Sequence, residues 1–306
     1  MTQNSFKVAI VGCGSVGATT AYGYLLSGTV DELTLIDVDR GKAEGLFLDL
    51  QHALSFTPYV KLDHGDSMEK CEGANLVVIT AGKRQEKGET RLELVEANKR
   101  IFEKIIPEIV SVAKDALLMI VSNPVDVLTY HAQKLSGLPS GRVFGSGTTL
   151  DSARLQLHLS GKLGVHPESI DAYVLGEHGD TSFPVYSSAN VIGKALTTFP
   201  QVDEAVLDEA YGDTKNAAYR IIHDQGYTCY SIATVIRELT EAIIKNKHKV
   251  FPLSVLLDGD YGHKDVCLSV PCILGRNGIE GILEVPLNEV EKKQLKKSVE
   301  TLKAFN

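Results

Sequence analysis

A histidine between two glycines is the side chain of this sequence best suited to move a proton. His178 stands in the polar segment Gly176–Asp180, directly after an apolar run. Asp151 and Arg154 are three residues apart, so on a helix they share one face. An Asp can hold an imidazole by its N–H and stabilise its protonated form, and an Arg can grip a carboxylate through two parallel hydrogen bonds. These three side chains are predicted to form a site for proton transfer.

A second candidate element is the polar segment Gly82–Arg91, which contains Gly88 and follows the apolar run Leu76–Thr80. In open parallel sheets, ligands bind at the carboxyl ends of the strands, which places this segment beside a ligand. Its composition suits a lid that carries a cation onto a substrate. A solvated charged loop is the alternative that composition leaves open.

A glycine-rich motif follows the first apolar run. Gly12–Gly17 reads GxGxxG and opens a helical stretch. Gly12 permits a tight turn, Gly14 lets the backbone approach a pyrophosphate, and Gly17 allows close helix–strand packing. The N-terminus of the helix then offers free N–H groups and a positive dipole to the phosphates. The motif predicts a dinucleotide site, with a glycine-rich turn that binds nothing as the alternative.

Residues near this motif narrow the choice of nucleotide. Ala18 and Thr19 stand where a P-loop needs Lys and Ser/Thr, which excludes a P-loop. Asp37 ends the next apolar run, about 20 residues downstream, where a carboxylate accepts hydrogen bonds from the adenosine ribose. Its charge would repel a 2′-phosphate, so NAD is favoured over NADP. Lys42 is either near the same ribose or simply exposed.

The elements that must position these residues alternate in the first half of the chain. Strands are predicted at Lys7–Val11, Leu33–Asp37, Leu76–Thr80, Leu117–Val121 and Arg142–Gly145. Such continuous apolar runs are typical of strands covered on both faces. Isoleucines recur at helical spacing over 91–114, with Pro107 as a possible kink. The pattern predicts an α/β fold, a Rossmann-type doubly wound parallel sheet, over residues 1–145.

The alternation of short apolar strands with helical stretches ends at about residue 146. Helical patterns are predicted at 149–163, 203–223 and 228–246, and strand-like runs at 170–175, 253–257 and 267–274. A final helix is predicted after Asn288, capped by that residue with Glu291 reaching back. Residues 146–306 are therefore predicted to form a second, α+β substrate domain that shares a firm interface with the first.

Composition excludes several classes of protein. The 306 residues carry a formal net charge of −8 and 43% hydrophobic residues, which argues against a disordered chain and against a nucleic-acid partner. The cysteine count is five, with no CxxC, and no histidine spacing suits a metal, so no metal site or disulfide scaffold is expected. No apolar run predicts a membrane partner. A cytoplasmic protein is expected.

Six motifs agree in order and spacing with one known family. They are Gly12–Gly17, Asp37, Ala81–Gly82 with Gln85 and Arg91, Ser122–Asp126, Asp151 to Arg154, and Gly176–Asp180. On these residues the chain resembles, essentially end to end, the NAD-dependent lactate/malate dehydrogenase family, and most of all its bacterial L-lactate dehydrogenase branch.

The resemblance implies catalytic roles. His178 is the proton donor to a keto oxygen, and Asp151 orients it and stabilises its cation. Arg154 binds the substrate carboxylate. Arg91, delivered by a closing loop, polarises the carbonyl while NADH gives a hydride to the carbonyl carbon. Pyruvate and L-lactate are the substrate pair that this implies.

The resemblance also implies binding roles. Asn123 contacts both substrate and cofactor, and Thr228 matches a position in the substrate pocket. The remaining positions that match the cofactor site are Val16, Gly82, Arg84 and Ser146.

Gln85 separates the two activities of the family. Its malate dehydrogenases place Arg at this position to meet a second substrate carboxylate, whereas its lactate dehydrogenases place Gln. Burying a second carboxylate without a cation costs several kcal/mol, so Gln85 favours pyruvate, and Thr228 agrees by narrowing the pocket. Malate dehydrogenase stays the alternative, because Lys83, Arg84 or Lys87 could reach inward.

The resemblance also bears on regulation by a sugar phosphate and on the oligomeric state. Many bacterial members are activated by fructose 1,6-bisphosphate, which an Arg and a His hold at a subunit interface. The matching positions here are Gln156 and Asp171, so little or no activation is expected. The resemblance implies a homotetramer, with a dimer as the alternative.

Overall fold

The computed structural model describes residues 5–83 and 91–305, with Arg91 described by its backbone alone. The helices are α1 (Ser15–Ser27), α2 (Arg40–Ala53), α3 (Arg91–Val112), α4 (Val125–Ser136), α5 (Thr149–Leu163), α6 (Glu204–Gln225), α7 (Tyr230–Ile244) and α8 (Glu289–Lys303). The strands are β1 (Lys7–Val11), β2 (Glu32–Ile36), β3 (Lys61–Gly65), β4 (Leu76–Ile79), β5 (Leu117–Ile120), β6 (Val143–Gly145), β7 (Ile170–Asp171), β8 (Val174–Leu175), β9 (Phe183–Pro184), β10 (Asn190–Val191), β11 (Lys194–Ala195), β12 (Lys249–Asp258), β13 (Lys264–Gly275) and β14 (Gly278–Ile282).

Buried aliphatic strands form the centre of the molecule. Within the described residues, nine strands make one sheet in the order β14-β13-β12-β6-β5-β4-β1-β2-β3. The first six strands of the chain, β1 to β6, lie side by side and are all parallel. Of these, β4 and β5 are buried along their whole length. The order of the six strands, 3-2-1-4-5-6, is that of a dinucleotide-binding sheet whose crevice opens between β1 and β4. The predicted Rossmann-type fold is confirmed.

The long strands of the second half extend this sheet. β12 pairs antiparallel with β6 at Ser254 and Gly145, and β13 and β14 continue the antiparallel edge. The sequence predicted a separate mixed domain and did not anticipate this shared sheet, because pairing across more than 100 residues leaves no local pattern. The two halves also meet through helices, since Tyr24 of α1 hydrogen-bonds Thr240 of α7 at 2.6 Å.

Element boundaries agree closely with the sequence pattern, with two corrections. The single strand predicted at 170–175 is two short strands that pair with different partners, β7 with β10 and β8 with β9. The elements that were not predicted are α2, α4, β3, β9, β10, β11 and β14. Of these, α2 and β3 carry exposed and polar residues that give no clear period. The C-terminal helix begins as predicted, with a capping box between Asn288 and Glu291. No helix in the described ranges combines the length and apolar character needed to cross a bilayer.

Candidate active site

The glycine-rich loop lies at the carboxyl end of β1, against the start of the segment after β4. A Cβ atom at Gly12 would lie 2.6 Å from the Ala81 nitrogen, and one at Gly17 would lie 1.9 Å from the Gly12 oxygen. Both positions therefore exclude side chains for packing reasons. A Cβ at Gly14 would meet nothing within 4 Å, because this backbone faces a cavity of about 660 Å³.

Asp37 is fixed to the same loop. Its Oδ2 accepts the Cys13 N–H at 2.7 Å and lies 3.4 Å from the Lys42 ammonium, while Oδ1 accepts the Asp39 N–H at 3.0 Å. The carboxylate is thereby held at the tip of β2, in register with the loop after β1. Burial, together with the Asp37 charge, raises the pKa of the Cys13 thiol to about 12, so this cysteine is a protonated packing residue.

The catalytic candidates meet between α5 and the loop after β8. The His178 Nδ1 lies 2.6 Å from Asp151 Oδ2, and the Arg154 guanidinium donates to Asp151 Oδ1 at 3.1 Å. The carboxylate of Asp151 therefore contacts both basic side chains, His178 through Oδ2 and Arg154 through Oδ1. The side chains of Asp151 and Arg154 are each 14% exposed and that of His178 is 30% exposed, so the cluster faces a cleft.

These contacts set the protonation of the cluster. Burial lowers the pKa of His178, but the charge of Asp151 and its hydrogen bond outweigh burial and raise the pKa to about 9. Burial raises the pKa of Asp151, and the His178 and Arg154 cations overcome this effect and hold that pKa below its usual range. At neutral pH the pair is therefore an imidazolium held by a carboxylate.

Two cavities lie next to each other here and share Asn123 as a lining residue. The first, of about 450 Å³, is lined by Asp151, Arg154 and His178. The second is the cavity in front of Gly14, and Asn123 lines both of them. A small molecule beside His178 would therefore lie next to a ligand that reaches along the glycine-rich loop.

The other predicted site residues fall into three groups. Val16 and Gly82, expected from the resemblance at the cofactor site, line the second cavity, and so does Thr228, which was expected in the substrate pocket and does not line the first cavity. Ser146 follows β6 at the same edge of the sheet and is buried. The predicted residues that lie outside the described part of the chain are Arg84, Gln85 and the side chain of Arg91.

Comparison with known proteins identifies the family. The model of the NAD-binding domain of lactate/malate dehydrogenase matches residues 6–145, and the model of the alpha/beta C-terminal domain of the same family matches residues 148–305. The chain belongs to the lactate/malate dehydrogenase family. As a member of this family, it is an NAD-dependent oxidoreductase.

Relatives and solved structures of this family match nearly the full chain. An L-lactate dehydrogenase of Acetivibrio thermocellus is 46% identical over 97% of this chain and 95% of its own length. An L-lactate dehydrogenase of Clostridium botulinum strain Langeland is 43% identical over 98% of this chain and 96% of its own length. MGS-M5, a lactate dehydrogenase from a Medee basin deep-sea metagenome library, has a TM-score of 0.95 at 40% identity, covering 99% of this chain and 98% of its own. The minor L-lactate dehydrogenase of Enterococcus mundtii in its ligands-bound form also has a TM-score of 0.95 at 40% identity, covering 98% of this chain and 97% of its own.

The crevice fits the NAD of this family. The open space at Gly14 lets a pyrophosphate approach the backbone. The first turn of α1 carries no acidic side chain, and no side-chain cap is made at Gly14, so its N–H groups face the crevice as an anion site. Asp37 places a carboxylate directly after the neighbouring strand β2, the position at which such folds hold ribose hydroxyls.

Two buried polar residues of the site were given no role by sequence reasoning, although Asp126 lies in the motif Ser122–Asp126. Asn98 of α3 accepts the Lys83 N–H at 2.7 Å and donates to the Asn123 carbonyl at 2.8 Å, so it joins the strand ends of β4 and β5. Asp126 of α4 accepts the His178 backbone N–H at 2.7 Å, and its burial raises its pKa to about 6. A polar residue on an otherwise apolar helix face was the available signal for Asn98.

No group of three or more potential metal-ligating side chains occurs in the part of the chain that the structure describes. The five cysteines are buried and unpaired within that part.

Proposed function

We propose that this member of the family is an L-lactate dehydrogenase, which reversibly reduces pyruvate to L-lactate with NADH. The observation that carries the proposal is the His178–Asp151–Arg154 cluster, which opens into a cavity joined at Asn123 to the dinucleotide cavity. The relatives from Acetivibrio thermocellus and Clostridium botulinum, both named L-lactate dehydrogenase, support the same activity.

Each catalytic side chain has a role that follows from its charge. Arg154 binds the substrate carboxylate and keeps one contact to Asp151. His178 enters the reaction protonated and gives its Nε2 proton to the keto oxygen, and Asp151 at Nδ1 then holds the neutral ring as its Nδ1–H tautomer. Arg91, at the start of α3, is proposed from the resemblance to stabilise negative charge on that oxygen.

The cofactor lies along the second cavity in this proposal. Gly12, Gly14, Val16 and Gly17 form the pyrophosphate turn, and Asp37 with Lys42 receives the ribose. When bound, the nicotinamide supplies the hydride. The positions proposed to complete the cofactor site are Gly82, Arg84, Asn123 and Ser146.

Charge balance selects the substrate. Arg154 matches one carboxylate, and Gln85 brings no second cation into the substrate pocket, which Thr228 is proposed from the resemblance to narrow. We expect NADH oxidation by the purified chain to show a kcat/KM for pyruvate at least about 10²-fold above that for oxaloacetate. A preference for oxaloacetate would instead establish the malate dehydrogenase alternative.

The pH dependence of the two directions follows from the raised pKa of His178. Pyruvate reduction needs the imidazolium, so its kcat/KM should stay level through neutral pH and fall as pH rises through about 9. Lactate oxidation needs the neutral imidazole and should rise over the same range. Both profiles are measured between about pH 6 and about pH 10, with NADH affinity as the control. A fall of pyruvate reduction already centred near the ordinary histidine value of 6.5 would contradict this account.

Sugar-bisphosphate activation is expected to be absent. Gln156 is neutral and its amide donates to the Ala172 carbonyl at 3.2 Å, and Asp171 is exposed and acidic, so neither position offers a cation to a phosphate. Adding fructose 1,6-bisphosphate should change the KM for pyruvate by less than about fivefold, the lower end of allosteric effects. Inorganic phosphate at equal ionic strength is the control, and a larger drop specific to the bisphosphate would refute the expectation.

Assembly, location and domain limits complete the proposal. The resemblance to the family supports a homotetramer, which light scattering of the purified chain tests against a dimer. It also supports a cytoplasmic enzyme acting on pyruvate in fermentative glycolysis. The NAD-binding domain is proposed to comprise residues 1–145 and the substrate domain residues 146–306.

A further inference from the structure

Hydroxyl groups tie the strand before His178 to the helix that carries Asp151. The Val174 N–H of β8 donates to Ser152 Oγ at 2.8 Å, and the Val174 carbonyl accepts from Thr148 Oγ1 at 2.5 Å. Thr148 immediately precedes α5, and Ser152 lies in the first turn of that helix. All three residues are buried, so water does not replace either bond.

A third hydroxyl joins the same elements to the large sheet. Ser269 Oγ on β13 accepts the Thr148 N–H at 3.0 Å. The backbone of Ser269 exchanges two hydrogen bonds with Gly176, at 3.0 and 2.9 Å. A Cβ at Gly147 would lie 2.6 Å from Ser269 Oγ, so the chain before α5 packs closely on this hydroxyl. One position of β13 therefore holds both the histidine loop and the start of α5.

We infer that Thr148, Ser152 and Ser269 are positioning residues that fix the distance between the imidazole of His178 and the carboxylate of Asp151. The inference rests on the proposed function for its meaning in catalysis. The two side chains are 27 residues apart in sequence and meet at 2.6 Å. Their backbones are joined near the site at Val174 and Gly176, through these three residues.

Loss of the Ser152 hydroxyl would leave the buried Val174 N–H without its partner, and loss of the Thr148 hydroxyl would leave the Val174 carbonyl with only a long contact to Ser152 Oγ, at 3.4 Å. Such a group costs about 1–3 kcal/mol, which favours a shift of β8 away from α5. A catalytic constellation tolerates only about 0.5 Å of displacement before activity falls. The shift would weaken the contact of His178 with Asp151, while Arg154 and Asp126 still face the imidazole with unchanged charges. The neighbouring Glu177 carboxylate stays bonded to Thr181.

The competing explanation is that these hydroxyls only satisfy buried backbone groups and contribute to stability. Thr240 is the matched control, because it is also fully buried and hydrogen-bonded, to Tyr24 at 2.6 Å and to the Ile236 carbonyl at 2.8 Å. Thr240→Val should lower Tm without changing the kinetics. Its hydroxyl lies between α1 and α7 and makes no bond to the histidine loop.

The kinetic experiment compares Thr148→Val and Ser152→Ala with Thr240→Val and the wild type. We expect the first two to lower kcat for pyruvate by about tenfold and to move the fall of kcat/KM to lower pH. Thr148→Ser, which keeps the hydroxyl, should restore both. If Thr148→Val and Ser152→Ala lower Tm as Thr240→Val does, yet keep kcat and the pH profile, the inference is overturned.

A second measurement separates this inference from the proposed function. The ring of His178 is titrated by NMR in the absence of substrate, with His178→Asn identifying its signal among the nine histidines. We expect a lower ring pKa in Thr148→Val and a wild-type value in Thr148→Ser; equal values in all three would overturn the inference. A wild type that fails to reduce pyruvate refutes the proposed function alone, since the ring titration still decides the inference.

Discussion

His178→Asn is expected to lower kcat/KM for pyruvate reduction by about 10³-fold or more, because the variant loses both the proton donor and the positive charge beside the keto oxygen. Asparagine can still donate a hydrogen bond but cannot transfer a proton at neutral pH. Asp151 would keep Arg154 as its partner, so the fold should survive. Steady-state kinetics with saturating NADH measures the loss.

Two controls isolate the proton transfer in this variant. NADH affinity, measured by fluorescence, should stay within about threefold of the wild type, because His178 does not line the cavity in front of Gly14. His158→Asn removes a half-exposed imidazole of α5, which lies 3.8 Å from Asp213, and should leave kcat/KM unchanged. A loss of less than about tenfold in His178→Asn would show that another group supplies the proton.

Gln85→Arg is expected to raise the ratio of kcat/KM for oxaloacetate over pyruvate by about 10²- to 10³-fold. The introduced guanidinium would neutralise the second carboxylate of oxaloacetate and would leave an unpaired cation beside the methyl group of pyruvate. The expectation rests on the sequence resemblance and on charge balance, since Gln85 lies outside the described residues.

The control for this variant is a charge placed elsewhere. Gln201→Arg makes the same substitution at an exposed position in the second half of the chain and should leave the ratio unchanged. If Gln85→Arg also leaves this kcat/KM ratio unchanged, the charge of the side chain at position 85 does not determine which substrate the pocket accepts. The assignment to pyruvate then loses its main support.

Local patterns in the sequence were enough to predict the dinucleotide crevice. β1 and β2 are continuous apolar runs, so the positions of Gly12–Gly17 and Asp37 at their carboxyl ends follow directly. Capping of α8 by Asn288 was equally predictable, because both halves of the capping box are three residues apart. In each case the determining contacts lie close together in sequence.

Contacts between distant residues could not be predicted in the same way. Asp126 and His178 are 52 residues apart, and nothing in either segment indicates that a buried carboxylate holds the histidine backbone. The attachment of β12 to β6 and the hydroxyl contacts of Ser269 depend likewise on how the completed sheet is packed. The pairing of His178 with Asp151 was expected from their chemistry and from the resemblance, not from their spacing.

The most direct test of the account is a crystal structure of the chain with NADH and oxamate, the amide analogue of pyruvate. The account predicts the oxamate carboxylate on the Arg154 guanidinium, its amide oxygen within hydrogen-bond distance of His178 Nε2, and a neutral environment around its amide nitrogen, which replaces the methyl group of pyruvate. A lysine or arginine from residues 83–90 in contact with that nitrogen, or a carboxylate bound away from Arg154, would contradict it.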